Sequence, residues 1–284
     1  MKRIFILCAA LCSMMIGFGQ TDTTTKAKPD TIKIGGMVII REKGKNNDDS
    51  KETKGNSRLT ISNRHRGDKP SNISTNWWIL DLGFSNYVDN SNYVAARNSN
   101  FVAPGIDENS LKLRTGKSRS VNIWFFMQRI NMIKHVVNFK YGLGLELNNY
   151  HFDDKTIRFQ KNISPTIDEG FLNSGLTKNK LAADYLTMPF MLNFNFTPKK
   201  HKRNYGFSAG ISAGYLYSAR QKIKEDGKVD KTKDNFDLRK WKLSYVGEVA
   251  LGPIRLYGSY AFKSMFEKGL DVTPYNVGFR FSNW

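Results

Sequence analysis

The chain has 284 residues and a formal net charge of +19, from 44 Lys and Arg against 25 Asp and Glu. A membrane-spanning helix needs roughly 20 consecutive apolar residues. Only the N-terminal stretch approaches that length, so a helical membrane protein is excluded. Aromatic residues make up 13% of the chain. Because disordered chains contain few aromatic residues, much of this chain is expected to fold.

Residues 1–19 have the pattern of a secretory signal peptide. The basic residues Lys2 and Arg3 precede an apolar run at 4–18. The small residues Gly17 and Gly19 stand before the expected cleavage site. Both cysteines, Cys8 and Cys12, lie inside this segment. The mature chain is therefore expected to contain no cysteine, which excludes disulfides and cysteine-based metal sites.

Residues 20–75 are predicted to form a polar periplasmic leader that is mostly disordered, because Thr, Lys, Asn, Asp, Ser and Gly dominate its composition. One apolar patch, from Ile32 to Ile40, is split by Gly35 and Gly36. Two short strands joined by a Gly-Gly turn fit this pattern. The patch therefore predicts a short hairpin at 31–41.

From residue 76 to the C-terminus the hydrophobic period becomes two, as in β-strands, where successive side chains point to opposite faces. In 137–148, one face is wholly apolar and the other carries polar residues and glycine. Seven segments alternate clearly: 78–85, 137–148, 186–196, 205–215, 241–252, 254–263 and 275–282. An eighth segment, 118–133, is apolar on both faces around Trp124, so its phase is ambiguous. Eight strands are predicted.

Two all-β architectures share such alternation. A soluble sandwich or lipocalin-like barrel puts the apolar face inside, whereas a transmembrane barrel puts it outside, against lipid. Three features favour the second. Many strands have about ten or more residues, enough to cross a bilayer when tilted; the polar faces are rich in Gly and Ser; and long and short connections alternate. The prediction is an eight-stranded antiparallel up-and-down transmembrane β-barrel over 76–284, in the cell outer membrane, with both termini periplasmic.

Charged residues of both signs occupy the polar faces of the strands and are predicted to point into the barrel and to pair there. They are Asp81, Lys140, Glu146, Lys242, Glu248, Arg255 and Arg280. Eight strands enclose an interior that side chains just fill. The sequence therefore predicts a barrel with no open pore.

The C-terminal segment is similar to the assembly signal of bacterial outer-membrane proteins, in which an amphipathic last strand ends in an aromatic residue. Phe279, Phe281 and Trp284 are the residues expected to form it. Trp284 is in phase with Arg280 and not with the two phenylalanines. A bulge or a frayed strand end is therefore needed to turn its side chain outward.

Most of the mature chain resembles the PorT-type outer-membrane β-barrel proteins of Bacteroidota. The resemblance rests on the signal peptide, the apolar patch, the polar linker and eight strands ending in Trp284, together with the segments 140–144 (KYGLG) and 257–260 (YGSY). It implies an outer-membrane barrel. It also suggests, as an alternative function, a component of type IX secretion and gliding machinery. The family supplies no catalytic motif that can be transferred onto this sequence.

No cofactor, metal or catalytic site is expected from the residue pattern. His65, His135, His151 and His201 fall in separate connections without metal-ligand spacing. The glycine pairs are not followed by helices, so they predict no phosphate cradle. An enzyme that modifies lipid A is the remaining alternative, since His151, near Asp153 and Asp154, is the one plausible general base. The chain is expected not to be an enzyme.

The basic residues are spread over loops on both sides of the predicted barrel instead of forming one surface with aromatic residues, as nucleic-acid binding requires. The expected partners are outer-membrane lipids and lipopolysaccharide, the barrel-assembly machinery and other envelope proteins, and not nucleic acid. The expected role is structural or interactive, as an envelope barrel or as an accessory subunit of an envelope complex.

Overall fold

The computed structural model describes residues 71–161, 165–167, 175–198 and 205–282, and the backbone of three short strands at 30–34, 37–41 and 59–62. The chain divides into two compact units, Met1–Lys69 and Pro70–Trp284. The signal peptide predicted at 1–19 and the terminal Trp284 lie outside the described residues.

The first unit contains three short antiparallel strands, β1 (Asp30–Ile34), β2 (Met37–Arg41) and β3 (Leu59–Ser62). β1 and β2 pair with each other at the position of the predicted hairpin. β3 pairs with the other edge of β2, inside a stretch whose composition predicts disorder. The β-branched Thr60 and Ile61 favour a strand there, although polar neighbours outweigh them in any compositional average.

The second unit contains a closed ring of eight antiparallel strands, which confirms the fold predicted from the alternation. In ring order they are β4 (Ile73–Asp89), β5 (Arg119–Ile133), β6 (Val137–His151), β9 (Leu176–Asn195), β10 (Tyr205–Glu225), β12 (Trp241–Leu251), β13 (Ile254–Ala261) and β14 (Val272–Phe281). β14 pairs with β4 to close the ring. The long connections contain β7 (Ile157–Arg158), β8 (Thr166–Ile167) and β11 (Lys228–Lys233).

Large apolar side chains cover the outer surface of this ring. Trp77, Trp241 and Tyr245, for example, each expose more than half of their surface. This apolar belt comprises Trp77, Leu80, Leu82, Phe84, Leu186, Phe190, Leu192, Phe207, Ile211, Tyr215, Tyr217, Trp241, Leu243, Tyr245, Val249, Leu256, Tyr260, Phe262, Val277, Phe279 and Phe281. Soluble monomers rarely expose so large a continuous apolar surface. The belt is the arrangement that a barrel surrounded by lipid requires.

The two ends of the barrel differ. At one end, called the turn end, the strands are joined by short connections such as 134–136 and 252–253. At the other end, called the loop end, four long connections join them: 90–118, 152–175, 226–240 and 262–271. β9 and β10 have 20 and 21 residues, and both continue past the belt at the loop end. β11 pairs with this extension of β10.

The ambiguous phase of β5 is resolved by an irregularity that β4 and β5 share. Their register passes from the pair Trp77–Phe126 to the pair Ile79–Trp124, so that Trp78 and Phe125 are skipped. An extra residue in a strand shifts the alternation by one position. Trp124 therefore points inward, while the rings of Trp78 and Phe125 contact each other outside, 6.0 Å apart. Trp78 has a φ of +57°, which is uncommon for a residue other than glycine.

A short helix, α1 (Tyr93–Asn98), lies in the first long connection. The Asn92 side chain caps it by accepting a hydrogen bond from the backbone N–H of Ala95. Among the residues that the structure describes, no helix has the length and apolar character needed to span a membrane.

Candidate functional site

The barrel interior contains all seven charged residues predicted to point into it. Each has at most 9% of its surface exposed. Because a buried charge without a partner is strongly unfavourable, seven such groups in one narrow space must compensate one another. The structure brings them together in two groups.

Asp81 and Arg280 form a two-point ion pair in the first group. Arg280 donates from Nε to Asp81 Oδ1 and from Nη2 to Asp81 Oδ2, both at 2.7 Å. The two residues face each other directly in the register of β4 and β14. A slip of either strand by one residue would turn its own charged side chain outward toward lipid and leave the other charge inside without its partner, so this pair favours the register in which the ring closes.

Glu248, on β12, is the centre of the first group. One of its carboxylate oxygens accepts hydrogen bonds from Lys140 Nζ at 2.5 Å and Arg280 Nη1 at 2.6 Å. Its other oxygen is 3.4 Å from Arg255 Nη1. One carboxylate thus contacts three cations from three different strands, and charge-assisted bonds of this kind are stronger than neutral ones.

Glu146 and Lys242 form the second group, nearer the loop end. Lys242 donates to Glu146, and its ammonium lies 4.4 Å from the centre of the Tyr185 ring. Such a cation–π contact further stabilises a desolvated ammonium.

Uncharged side chains occupy much of the remaining interior, and the sequence analysis did not single them out. Trp124 Nε1 donates to Asp81 Oδ2 at 2.7 Å. Asn148 accepts hydrogen bonds from Ser85 at 3.2 Å and from Asn276 at 3.0 Å. For Ser85, Asn148 and Asn276 the signal that identifies them is their phase, because each occupies the inward face of its strand. The inward position of Trp124 could not be read from its phase, since the irregularity that β5 shares with β4 determines it.

Glycine makes room for the large interior side chains. Gly83 and Gly278 face each other on β4 and β14. A Cβ on Gly278 would lie 2.7 Å from a ring carbon of Tyr257, and one on Gly83 would lie 2.8 Å from its hydroxyl oxygen. The space left among Trp124, Glu146 and Arg280 is only about 20 Å³, room for about one water molecule.

The described residues of the four long connections fold over the loop end into an apolar layer, called the cap below. The sequence analysis identified these connections only by their length and their basic residues, and it did not predict this layer. Phe159 lies at its centre, with ring centroids 5.1 Å from Phe152, 6.4 Å from Phe236 and 6.3 Å from Phe266. The buried apolar residues that the connections contribute are Ala96, Phe101, Val102, Ile106, Leu111, Phe152, Ile157, Phe159, Phe236, Leu238, Met265, Phe266 and Leu270.

The cap packs directly onto the barrel mouth. Inward-facing wall residues such as Tyr150, Leu181 and Tyr185 belong to the same buried cluster as the loop residues. Gln221, on β10, accepts a hydrogen bond from the backbone N–H of Phe159 at 3.0 Å and donates to the carbonyl of Ile157 at 2.8 Å. The barrel is therefore filled with charged and polar side chains below and covered by apolar ones above.

His151, the one histidine considered as a general base, lies at the end of β6 beyond the apolar belt. Burial, together with the charges of Lys178, Lys180, Lys117 and Arg114, lowers its pKa from 6.5 to about 4. The nearby Asp153 pairs with Arg114 at 2.9 Å. In the described part of the chain no carboxylate orients the imidazole, which a hydrolytic set of residues would need.

The lowered pKa of His151 predicts a loss of stability in acid. The unfolded chain takes up this proton near pH 6.5 and the folded chain only near pH 4, so stability present above pH 6.5 is lost as the pH falls toward 4. We expect the unfolding midpoint in urea to fall over this range more steeply in the wild type than in His151→Gln. Parallel pH profiles for the two proteins would contradict this prediction.

The remaining sequence-based candidates are placed as follows. Phe279 and Phe281 lie on β14 and project outward within the apolar belt. Among the described residues, no cluster of three or more His, Cys, Asp or Glu side chains is arranged to hold a metal ion.

A closed ring with an apolar outer belt, a charged interior and long connections at one end defines an outer-membrane β-barrel protein. The chain belongs to the family described as outer membrane protein beta-barrel domain, whose model matches residues 74–267. This confirms the outer-membrane barrel part of the predicted family and the outer-membrane location. The more specific PorT-type relationship stays a prediction.

No curated protein matches the chain. Among solved structures it is similar to Ail, the attachment invasion locus protein of Yersinia pestis, with 11% sequence identity and a TM-score of 0.30. The similarity covers 73% of this chain and 98% of that chain.

Proposed function

We propose that this protein is a closed outer-membrane barrel with a structural or interaction role, and that its folded cap is the surface that other envelope components contact. Outer-membrane barrels have short periplasmic turns and longer external loops. By that rule the cap faces the outside of the cell, and both termini lie in the periplasm.

The observation that carries this proposal is that the barrel is blocked at two levels. The ion pairs around Glu248 cross the interior from β6 to β12, β13 and β14. Above them, a void bounded by residues that include Tyr150, Phe159 and Phe266 has a volume of only about 10 Å³, at the lower limit for one water molecule. A solute would have to displace both layers to pass.

A role without catalysis is supported by the surroundings of His151. Its neighbours are mostly cationic, and Asp153 is engaged by Arg114. We propose that a lipid A-modifying activity is absent. Lipid A of unchanged composition in a strain that lacks the whole gene would support this, whereas a change that His151→Gln reproduces would contradict it.

We further propose that the barrel-assembly machinery recognises the last strand through Phe279 and Phe281. The N-terminal strands β1 to β3 provide a second element, which a PorT-type subunit of a secretion complex would present in the periplasm. Crosslinking before mild detergent extraction tests for such a complex, since an isolated envelope barrel would be recovered without partners.

The closed-barrel proposal predicts that the purified full-length protein in planar lipid bilayers shows no stable conductance. Phe159→Ala provides a second measurement. It loosens the cap, yet it is expected to remain without conductance because the ion pairs lie below. Steady single-channel steps from the wild-type protein would refute the proposal, and steps from Phe159→Ala alone would show that the cap is the only barrier.

A further inference from the structure

A row of basic side chains crosses four neighbouring strands at the loop end. In the strand register Lys231 faces Lys222, Lys222 faces Lys180, and Lys180 faces His151. Directly opposed residues in antiparallel strands have Cβ atoms about 4.5–5.5 Å apart, and like charges in such pairs are destabilising. A second opposed pair, Lys224 and Lys178, lies beside this row. These six residues are called the basic face.

The basic face points away from the barrel interior. Asn179, Leu181 and Gln221 alternate with its lysines along β9 and β10, and all three are buried in the interior with at most 2% of their surface exposed. Alternation along a strand then places Lys178, Lys180 and the lysines of β10 on the outer surface.

Acidic side chains neutralise this surface only in part. Asp184 pairs with Arg220 and also raises the pKa of Lys180 and of Lys222, whereas Asp153 pairs with Arg114. Lys180 donates to the neutral amide oxygen of Asn149 at 2.7 Å. Within the described part of the chain, Lys222, Lys224 and Lys231 form no ion pair.

The neighbouring cations also affect protonation. Burial, together with the charges of Lys178, Lys222 and Arg220, lowers the pKa of Lys180 to about 8, and Asp184 opposes this shift. The pKa of Lys222 is lowered by its own desolvation and then by Arg220, Lys231 and Lys178. An arrangement in which cations depress one another's pKa is one that a bound anion stabilises.

The position of the basic face indicates which anion it meets. It continues the outer surface of β9 and β10 immediately past the apolar belt, with Lys180 six residues from Leu186 and Lys222 five residues from Tyr217. At about 3.3 Å per residue, less the tilt of the strands, the backbone of its lysines stands roughly 10–20 Å beyond the belt, whereas the polar layer of a bilayer is about 5–8 Å thick on each side. Long lysine side chains bend back along a protein surface, which brings their ammonium groups to the height of the lipid phosphates. The face contains no Phe, Tyr or Trp, whereas single-stranded nucleic acids bind where bases can stack on such aromatic rings.

We propose that the basic face binds the phosphate groups of a phosphorylated glycolipid of the lipid A class in the leaflet around the barrel. The inference rests on the proposed function in one respect, the placing of the loop end in the outer leaflet. The lipid's acyl chains then lie along the apolar belt, while its phosphates relieve the repulsion between Lys180 and Lys222.

The test uses the full-length protein in phosphatidylcholine vesicles that contain diphosphorylated lipid A. The lipid A that stays with the barrel after detergent extraction is measured by mass spectrometry. We expect Lys180→Gln with Lys222→Gln to reduce it about tenfold, which corresponds to roughly 1.4 kcal/mol. The matched control, Lys112→Gln with Lys268→Gln, removes two exposed lysines from other loops and is expected to retain wild-type amounts.

Two further measurements decide the chemistry. Lipid A without phosphates should not be retained, and equal retention of it would overturn the proposal. The pKa of His151, followed by NMR, should rise when lipid A is added to the wild type; an equal rise with inorganic phosphate alone would overturn the assignment to a lipid. Conductance in planar bilayers would refute the closed-barrel proposal without changing lipid retention. Failure of the proposed function can therefore be distinguished from failure of the proposed lipid A site.

Discussion

Replacing Glu248 with glutamine is expected to lower the free energy of unfolding of the barrel by about 3–5 kcal/mol, the usual cost of removing one partner from a buried ion pair. Glu248 is 3% exposed and contacts Lys140, Arg255 and Arg280. The glutamine keeps the size of the side chain and removes its charge. Three desolvated cations then face one another, and Asp81 can compensate only Arg280 fully.

The measurement is equilibrium unfolding in urea of protein refolded into detergent micelles or vesicles, followed by tryptophan fluorescence. Glu267→Gln is the matched control, because Glu267 is an exposed residue of the fourth long connection. Its effect should stay within about 0.5 kcal/mol, as for most surface substitutions. Equal unfolding midpoints for the two variants would show that the interior cations are compensated by something other than Glu248.

The sequence identified the members of this network but not their pairing. Alternation alone places Lys140, Glu146 and Glu248 on the inward faces of their strands, because strand period fixes the face. Which groups meet depends on the stagger of the strands around the ring. Lys140 on β6 reaches Glu248 on β12 across the interior, and no local pattern encodes that distance.

Two other features could not be predicted from the hydrophobic periodicity of the sequence. The phase of β5 depends on the irregularity shared with β4 at Trp78 and Phe125, which a count of apolar positions cannot locate. β9 and β10 extend beyond the belt and so create the basic face. Their backbone pairing continues there through polar residues such as Lys180 and Lys222. Polar strands of this kind resemble loops when only hydrophobicity is considered.

The cap was missed for a related reason. Its buried residues, such as Phe101, Phe159, Phe236 and Phe266, are spaced irregularly among polar residues and glycine. Each connection contributes too few apolar residues to form a core by itself. They become a core only when four connections meet above the barrel, which is a consequence of ring closure.

Replacing Phe159 with alanine is expected to destabilise the cap by about 3–5 kcal/mol, as large-to-small substitutions of buried phenylalanine usually do. The ring of Phe159 is 3% exposed and contacts aromatic rings from three of the four connections. Its backbone hydrogen bond to Gln221 does not depend on the side chain. The change should therefore loosen the packing of the cap and leave the wall strands intact.

Chymotrypsin provides the measurement, because it cleaves after aromatic residues and Phe101, Phe236 and Phe266 are buried in the folded cap. When opening is fast compared with cleavage, the rate of cleavage follows the population of the open cap. A loss of about 3 kcal/mol then predicts cleavage roughly a hundredfold faster at these three sites, detected by mass spectrometry. Phe84→Ala, which removes an exposed ring from the apolar belt, should leave the rate unchanged. Equal rates of cleavage for Phe159→Ala and the wild type would mean that the four connections do not form one cooperative layer. Cleavage of the barrel strands as well would mean that the cap and the barrel unfold together.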